Sequence, residues 1–480
     1  MPEESLKYKT KKGLYWSAAN YFASTGIKFV FGIILARLLT PDAYGVIGML
    51  SVFIAVVSVF VDCGFSQSLI RKQDRTQTDF STEFYFNIVV GIVCYLILFL
   101  SSPLIADFYN MPILSPILKV VGLGVVLGSL NVVQYSQFAI RLDFKTPAKI
   151  SVSTQIFTGV IGIILAYLGW GVWALVFQQL AGGILRTILL WIIVKWRPTW
   201  EFSIQSFKYQ WNFGSKVLGS SLLSILYDNI QPLIVGKFFS ARSLGLFSRA
   251  HTFAAFPSSY LSGILANVSF PILSKINNDE QKLSEVYRKL MQMSAYICFP
   301  LMVCLTVVAS PLVKLLLTEK WYDCIPMLWI SCFSLIWQPI SRVNLELLKV
   351  AGRTDVLLKL EIIKKVTGVI LLFLSVPYGI IAFCFANLLI CVFAVIINTV
   401  MTSKALKVSF IDQVKDLSPF LIHSLIMGGL AYVVSFQIQS ELLSLIVGVL
   451  ICAIYYLLVS ILLMKDSFDN ILYMLNVKKK

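Results

Sequence analysis

The sequence has little charge and few metal-binding side chains. Only 13% of its 480 residues are Asp, Glu, Lys or Arg, and two are histidine. A soluble domain carries about a quarter charged residues, which excludes an ordinary water-soluble globule. Nine cysteines stand at positions 63, 94, 298, 304, 324, 332, 384, 391 and 452, with no CxxC pair. Zinc, haem and dithiol redox chemistry therefore lack a ligand pattern, and the cysteines read as small buried hydrophobes. No GxxxxGK[ST] phosphate loop, GxSxG or HExxH occurs, so P-loop ATP hydrolysis and the hydrolase chemistry of those motifs have no place here. No cleavable signal is expected, because the first apolar run after Lys7, Lys9, Lys11 and Lys12 is too long.

Hydrophobic residues make up 58% of the chain and the mean hydropathy is +0.82. Apolar runs of about 20 residues recur, each long enough to cross a bilayer as helix. The expected fold is an all-α integral membrane protein of about 14 transmembrane helices. They fall near 14–38, 43–63, 80–102, 115–139, 147–168, 171–194, 213–238, 243–273, 288–317, 324–348, 355–376, 379–402, 413–436 and 441–464.

The net charge of +16 sits in short patches between these runs. That pattern suits anionic lipid and topology rather than nucleic acid. Arg71-Lys72-Arg75, Arg141-Lys145-Lys149, Lys195-Arg197-Lys208, Lys349-Arg353-Lys359 and Lys404-Lys407-Lys415 mark one side, with the N-terminal lysines and Lys478–Lys480. The alternate turns 168–171, 376–379 and 437–440 carry no Lys or Arg. The positive-inside rule then places both termini in the cytoplasm.

An echo recurs at a spacing of 200 residues. The run Ile34-Leu-Ala-Arg-Leu-Leu-Thr-Pro-Asp-Ala-Tyr-Gly-Val46 is answered by Ile234-Val-Gly-Lys-Phe-Phe-Ser-Ala-Arg-Ser-Leu-Gly-Leu246. Thr158-Gly-Val-Ile161 is likewise answered by Thr367-Gly-Val-Ile370. Two six-helix lobes follow, related by a pseudo-two-fold along the membrane normal. The N-terminal lobe spans 1–195, a cytoplasmic interfacial linker 196–212 and the second lobe 213–404. Two further transmembrane helices and a basic tail occupy 405–480. The aromatic linker reads equally as a helix lying in the interface or as a loop.

Ionisable groups inside apolar helices usually face a cavity or a partner. Lys28 lies mid-helix, and the 200-residue offset places Asp228 opposite it, where the two would meet across the lobes. Pro232 removes a hydrogen bond to the carbonyl of residue 228, so a kink is expected there. Asp228, Asn229, Gln231 and Pro232 then form a polar spot suited to a proton, a sodium ion or a substrate group; the alternative is a purely structural kink. Arg249, Arg186 and Arg342 are the remaining candidates for a cationic cavity, since the guanidinium fork suits a diphosphate. Arg186 also reads as a snorkelling residue, and Arg342 as the i,i+4 partner of Glu346. Neither a catalytic group nor a cofactor is expected.

Several segments resemble the Wzx-type (WzxC-like) polysaccharide-unit flippases. They are Gly13-Leu-Tyr-Trp-Ser17, the 34–45 run, Phe60-Val-Asp-Cys-Gly-Phe-Ser66, Leu69-Ile-Arg-Lys72, Asp79-Phe-Ser-Thr82, Ile105-Ala-Asp-Phe-Tyr109, Ala351-Gly-Arg-Thr-Asp355 and 359–365. That family falls in the multidrug/oligosaccharidyl-lipid/polysaccharide exporter superfamily. The resemblance implies alternating access around a cavity walled by the first, second, seventh and eighth helices. It implies an undecaprenyl-diphosphate-linked glycan as substrate, the bacterial inner membrane as location, and polysaccharide polymerase machinery as a partner. It gives Lys28 and Arg249 as counterparts of the family's cavity cations. A drug exporter of the same superfamily is the rival reading; a membrane glycosyltransferase or polymerase would need a long external loop that the sequence lacks.

Overall fold

A computed structural model of the chain describes residues 16, 23–406 and 408–464, except the side chains of residues 267, 354, 405 and 406. Lys7, Lys9, Lys11, Lys12, Lys407, Lys478–Lys480 and most of the Gly13–Ser17 segment lie outside the described residues.

Every regular element among the described residues is helical. The first unit holds α1 (23–38), α2 (Pro41–Asp62), α3 (Phe65–Arg71), α4 (Gln77–Tyr109), α5 (Leu114–Val121), α6 (Leu123–Ser129), α7 (Val132–Arg141), α8 (Lys145–Tyr167), α9 (Val172–Ile193), α10 (Ile204–Asp228) and α11 (Ile230–Phe238). The division falls between Gly245 and Leu246, inside α12 (Ala241–Lys275). The second unit continues with α13 (Glu280–Leu316), α14 (Cys324–Leu335), α15 (Gln338–Val350), α16 (Thr354–Ser375), α17 (Ile380–Leu406), α18 (Phe410–Phe436) and α19 (Glu441–Leu462).

Nine of the described helical runs are long and apolar enough to span a membrane, or ten if the pair bent by 41° between Ser129 and Val132 is one span. Many outward side chains of these helices, such as Leu100, Leu104, Ile192 and Leu389, are apolar and exposed. Such a surface is untenable in water and natural in lipid. The chain is therefore a multi-pass membrane protein. The count is lower than the 14 expected from sequence. Only 16 residues of α1 are described, while α10–α12 and α16 carry charges such as Lys216, Asp228, Arg249 and Lys364.

Helix ends follow local chemistry. Pro41 starts α2 at a position where no backbone N–H is needed. The Thr76 hydroxyl accepts from Asp79 N, and the Asp79 carboxylate accepts from Thr76 N at 2.7 Å, a capping box that starts α4. Lys72 donates to the same carboxylate at 2.8 Å and closes the α3–α4 turn. The 194–203 segment is not helical. It is strapped to the first turns of α4: Trp196 Nε1 donates to Gln77 Oε1 at 2.7 Å, and Ser203 N to Thr82 Oγ1 at 3.0 Å. Helix α10 then starts at Ile204 with Ser203 as its cap.

In the second unit, α18 and α19 pack on α13. The Arg288 guanidinium donates twice to Asp416, at 2.6 and 2.8 Å, and Lys314 pairs with Glu441 at 2.6 Å.

The 200-residue echo has a physical counterpart within the first unit. A Cβ on Gly45 would fall 1.7 Å from the carbonyl oxygen of Ala241, and a Cβ on Gly245 would fall 2.0 Å from that of Pro41. Positions 41 and 45 thus meet their own repeats, 241 and 245, in a reciprocal backbone crossing that only glycine permits. Gly45→Ala should lower the thermal stability of the detergent-purified protein. Gly429→Ala, on α18 with open space around it, should leave stability unchanged or raise it, because alanine favours helix. Size-exclusion chromatography after graded heating reads both.

Candidate functional site

The first unit contains an open-sided cavity of ≈ 500 Å³. Helix α1 supplies Ile27, Lys28, Phe31 and Gly32; α8 supplies Thr154, Gln155 and Thr158; α9 supplies Gln178, Gln179 and Arg186; α2 adds Tyr44 and Ser58. An apolar cluster of Leu35, Leu39, Ala43, Ala166, Ala174 and Leu175 joins α1, α2, α8 and α9 beside it. Small residues set its walls. The Phe31 ring packs so closely on Gly159 that a Cβ there would lie 2.4 Å from it. Gly162 lets Gln178 approach α8, and Gly182 lets Thr158 approach α9. Ser24 and Ser151 hydroxyls, 3.2 Å apart, tie α1 to α8, and Gln155 Nε2 donates to Ser151 at 2.8 Å.

The lining contains two cations, Lys28 and Arg186, and no carboxylate. Neither cation forms an ion pair among the described residues. Three carboxamides stand beside them, and Gln155 Oε1 and Thr154 Oγ1 are buried without a protein partner. A buried polar atom left unsatisfied costs about 1–3 kcal/mol, so a ligand offering hydroxyls and negative charge is the natural complement. The cavity can therefore bind an anion flanked by hydroxyl groups.

Residues 34–326 match a protein family described as "Polysaccharide biosynthesis protein". The chain belongs to this family. Among curated relatives it is 27% identical to the lipopolysaccharide biosynthesis protein WzxC of Escherichia coli over 75% of this chain and 74% of that one. It is 25% identical to the teichuronic acid biosynthesis protein TuaB of Bacillus subtilis over 73% of each. Among solved structures it is similar to a lipid II flippase MurJ in an inward closed conformation, with a TM-score of 0.74 and 15% identity over 93% of this chain and 99% of that one. An inward-facing multidrug resistance MATE family transporter matches with a TM-score of 0.62 and 16% identity over 80% and 96% of the two chains. These two likenesses show the fold.

In this member of the polysaccharide biosynthesis family, the expected site residues are distributed unevenly. Lys28 and Arg186 share the cavity. Arg249 lies in the second unit, its guanidinium 5.2 Å from the centre of the buried Trp321 ring. Arg342 pairs with Glu346 at 3.3 Å along α15, and Lys349 joins the same carboxylate at 2.9 Å. The expected Lys28–Asp228 ion pair is not formed: Lys28 lines the α1–α8–α9 cavity instead. The helix does break beside Pro232, between α10 and α11 at Asn229, whose Nδ2 donates to Ile225 O at 2.8 Å. Gln231 follows in α11. The amides Gln155, Gln178 and Gln179 escaped the sequence reading. Their signal was present, as polar residues at helical spacing with Thr154, Thr158 and Arg186 on otherwise apolar runs.

A short-chain polyprenyl diphosphate should bind the nanodisc-embedded protein, as read by microscale thermophoresis. Lys28→Ala and Arg186→Ala should each weaken it about tenfold, the size expected for one charge-assisted hydrogen bond. Arg342→Ala should leave it unchanged, since Arg342 already has its carboxylate.

Proposed function

We propose that the protein is a flippase for a lipid-linked oligosaccharide, an undecaprenyl-diphosphate repeat unit, in surface polysaccharide biosynthesis. The observation that carries this reading is the pair of cations, Lys28 and Arg186, that have no ion-pair partner among the described residues and line a carboxamide-rich cavity without a carboxylate. A diphosphate head cannot cross hydrocarbon unaided, because burying its charge costs many kcal/mol. Fixed cations and amides replace its water, while the polyprenyl tail stays in lipid. The family assignment, and relatives named for lipopolysaccharide and teichuronic acid biosynthesis, support the glycan. A cationic small molecule would be repelled by the same lining, which disfavours the drug-exporter reading.

The remaining topology belongs to the same proposal. Each interrupted group of helices (α2–α3, α5–α7, α10–α11 and α14–α15) is read as one span, which gives 14 spans, an even number that returns both termini to the cytoplasmic side of the bacterial inner membrane. The lobes are 1–195 and 213–404, with the 196–212 linker between them and two additional spans with a basic tail in 405–480. The reciprocal Gly45/Gly245 crossing supports the pseudo-two-fold, and alternating access is the mechanism such a repeat serves. The transporter works without an ATPase motif, driven by a proton or sodium gradient or by its substrate, and hands its product to a polymerase.

The test is flipping in proteoliposomes, read as periodate access to a labelled lipid-diphosphate oligosaccharide. The protein should accelerate the loss of protected label, and the Lys28→Ala/Arg186→Ala double variant should not, though it still inserts. Equal rates for the double variant and the parent would remove the reading.

A further inference from the structure

A second polar centre lies in the first unit, apart from the cavity. Glu83 on α4 is completely buried, and so is Asn87 one turn later. Among the described residues, the Glu83 Oε2 atom and both amide atoms of Asn87 have no hydrogen-bond partner within 3.5 Å, and the Asn87 amide lies beside the Glu83 carboxyl. Asp62, the last residue of α2, stands beside Glu83, with the Ser66 hydroxyl between the two carboxyl groups. Ser66 Oγ is 2.7 Å from Asp62 Oδ1 and 3.4 Å from Glu83 Oε1.

Among the described residues, no cation forms an ion pair with Asp62 or Glu83. Of the charged groups on elements packed against α4 and on the 194–203 strap, Lys72 is held by Asp79 and Arg71 lies over the Phe213 ring. Arg141 donates to Gln137, and Arg197 to the backbone of Trp191. Glu201 accepts from Thr78. Lys119 and Lys237 sit on Phe99 and Phe108 near the far end of α4. Lys195, Lys208 and Lys216 are exposed.

A hydroxyl carries one hydrogen, and Ser66 gives its hydrogen to the nearer acceptor, Asp62. The contact with Glu83 then closes only if Glu83 is the donor. Two adjacent carboxylates, one of them buried, also cannot both be ionised cheaply. We infer that Asp62, Ser66 and Glu83 form a proton-binding site, in which one proton from bulk water converts Glu83 to an acid that donates to Ser66, which donates to the Asp62 carboxylate. Loss of that proton leaves two like charges on either side of one hydroxyl.

The site sits on a strained corner. Cys63 and Gly64, which join α2 to α3, both have positive φ (45° and 70°). A Cβ on Gly214 of α10 would fall 2.4 Å from the carbonyl oxygen of Cys63. Repulsion between Asp62 and Glu83 therefore pushes on the α2–α3 corner and on α10, so proton binding is linked to the geometry of that corner. This inference does not rest on the flippase reading.

The test uses the full chain in nanodiscs over a series of pH values, because interacting carboxyl groups titrate as a pair. Infrared difference spectra should show one protonated carboxyl band that disappears as pH rises, and hydrogen exchange of the 64–72 and 213–218 amides should rise with its loss. Glu83→Gln should abolish the band and the pH response together while the exchange pattern stays that of the low-pH form. If that variant misfolds, Ser66→Ala and Glu83→Asp should shift the midpoint. A band that persists in Glu83→Gln, or no titrating band in the parent, would overturn the proposal. So would sodium displacing the proton at constant pH, which would make this a sodium site instead.

Discussion

Charge in a low-dielectric bundle is the constraint on which the rest of this structure depends. A side-chain cation or carboxylate within a membrane-spanning helix must be paired, lifted to the interface or turned into a polar cavity. The second unit follows the first course, with Arg288 on Asp416, Lys314 on Glu441 and Arg342 and Lys349 on Glu346. Lys28 and Arg186 follow the last, and the amides around them hold no opposing charge. That contrast separates cations already paired with a carboxylate from the two that line the cavity.

Packing puts the cavity where it is. Glycines at 159, 162 and 182 let Phe31, Gln178 and Thr158 pack closely against the helices around it. The same device, used at Gly45 and Gly245, lets two helix starts cross backbone to backbone. The two starts touch there, and neither glycine tolerates a Cβ.

Much of the helix pattern was legible, because apolar runs of bilayer length leave few alternatives. The interruptions at Gly64, Asn131 and Trp337 were not, since the apolar pattern runs on through them. The break beside Asp228 was readable from Pro232. Arg342 was readable as the partner of Glu346, because both lie on one helix face. The Lys28–Asp228 pair failed because sequence alignment gives equivalence between repeats, not proximity. Gln155 and Gln178 were visible as polar residues in apolar runs but carry no formal charge to attract notice. Asp62 and Glu83 lie near the ends of their spans, where carboxylates are ordinarily solvated, and only the fold shows Glu83 sealed from solvent.

The position of the diphosphate head is the decisive observable. An electron cryomicroscopy map of the nanodisc-embedded protein with lipid-diphosphate oligosaccharide should place the head between Lys28 and Arg186, with sugar hydroxyls on Gln155 and Gln178. A head bound elsewhere, with these four side chains uncontacted, would contradict it.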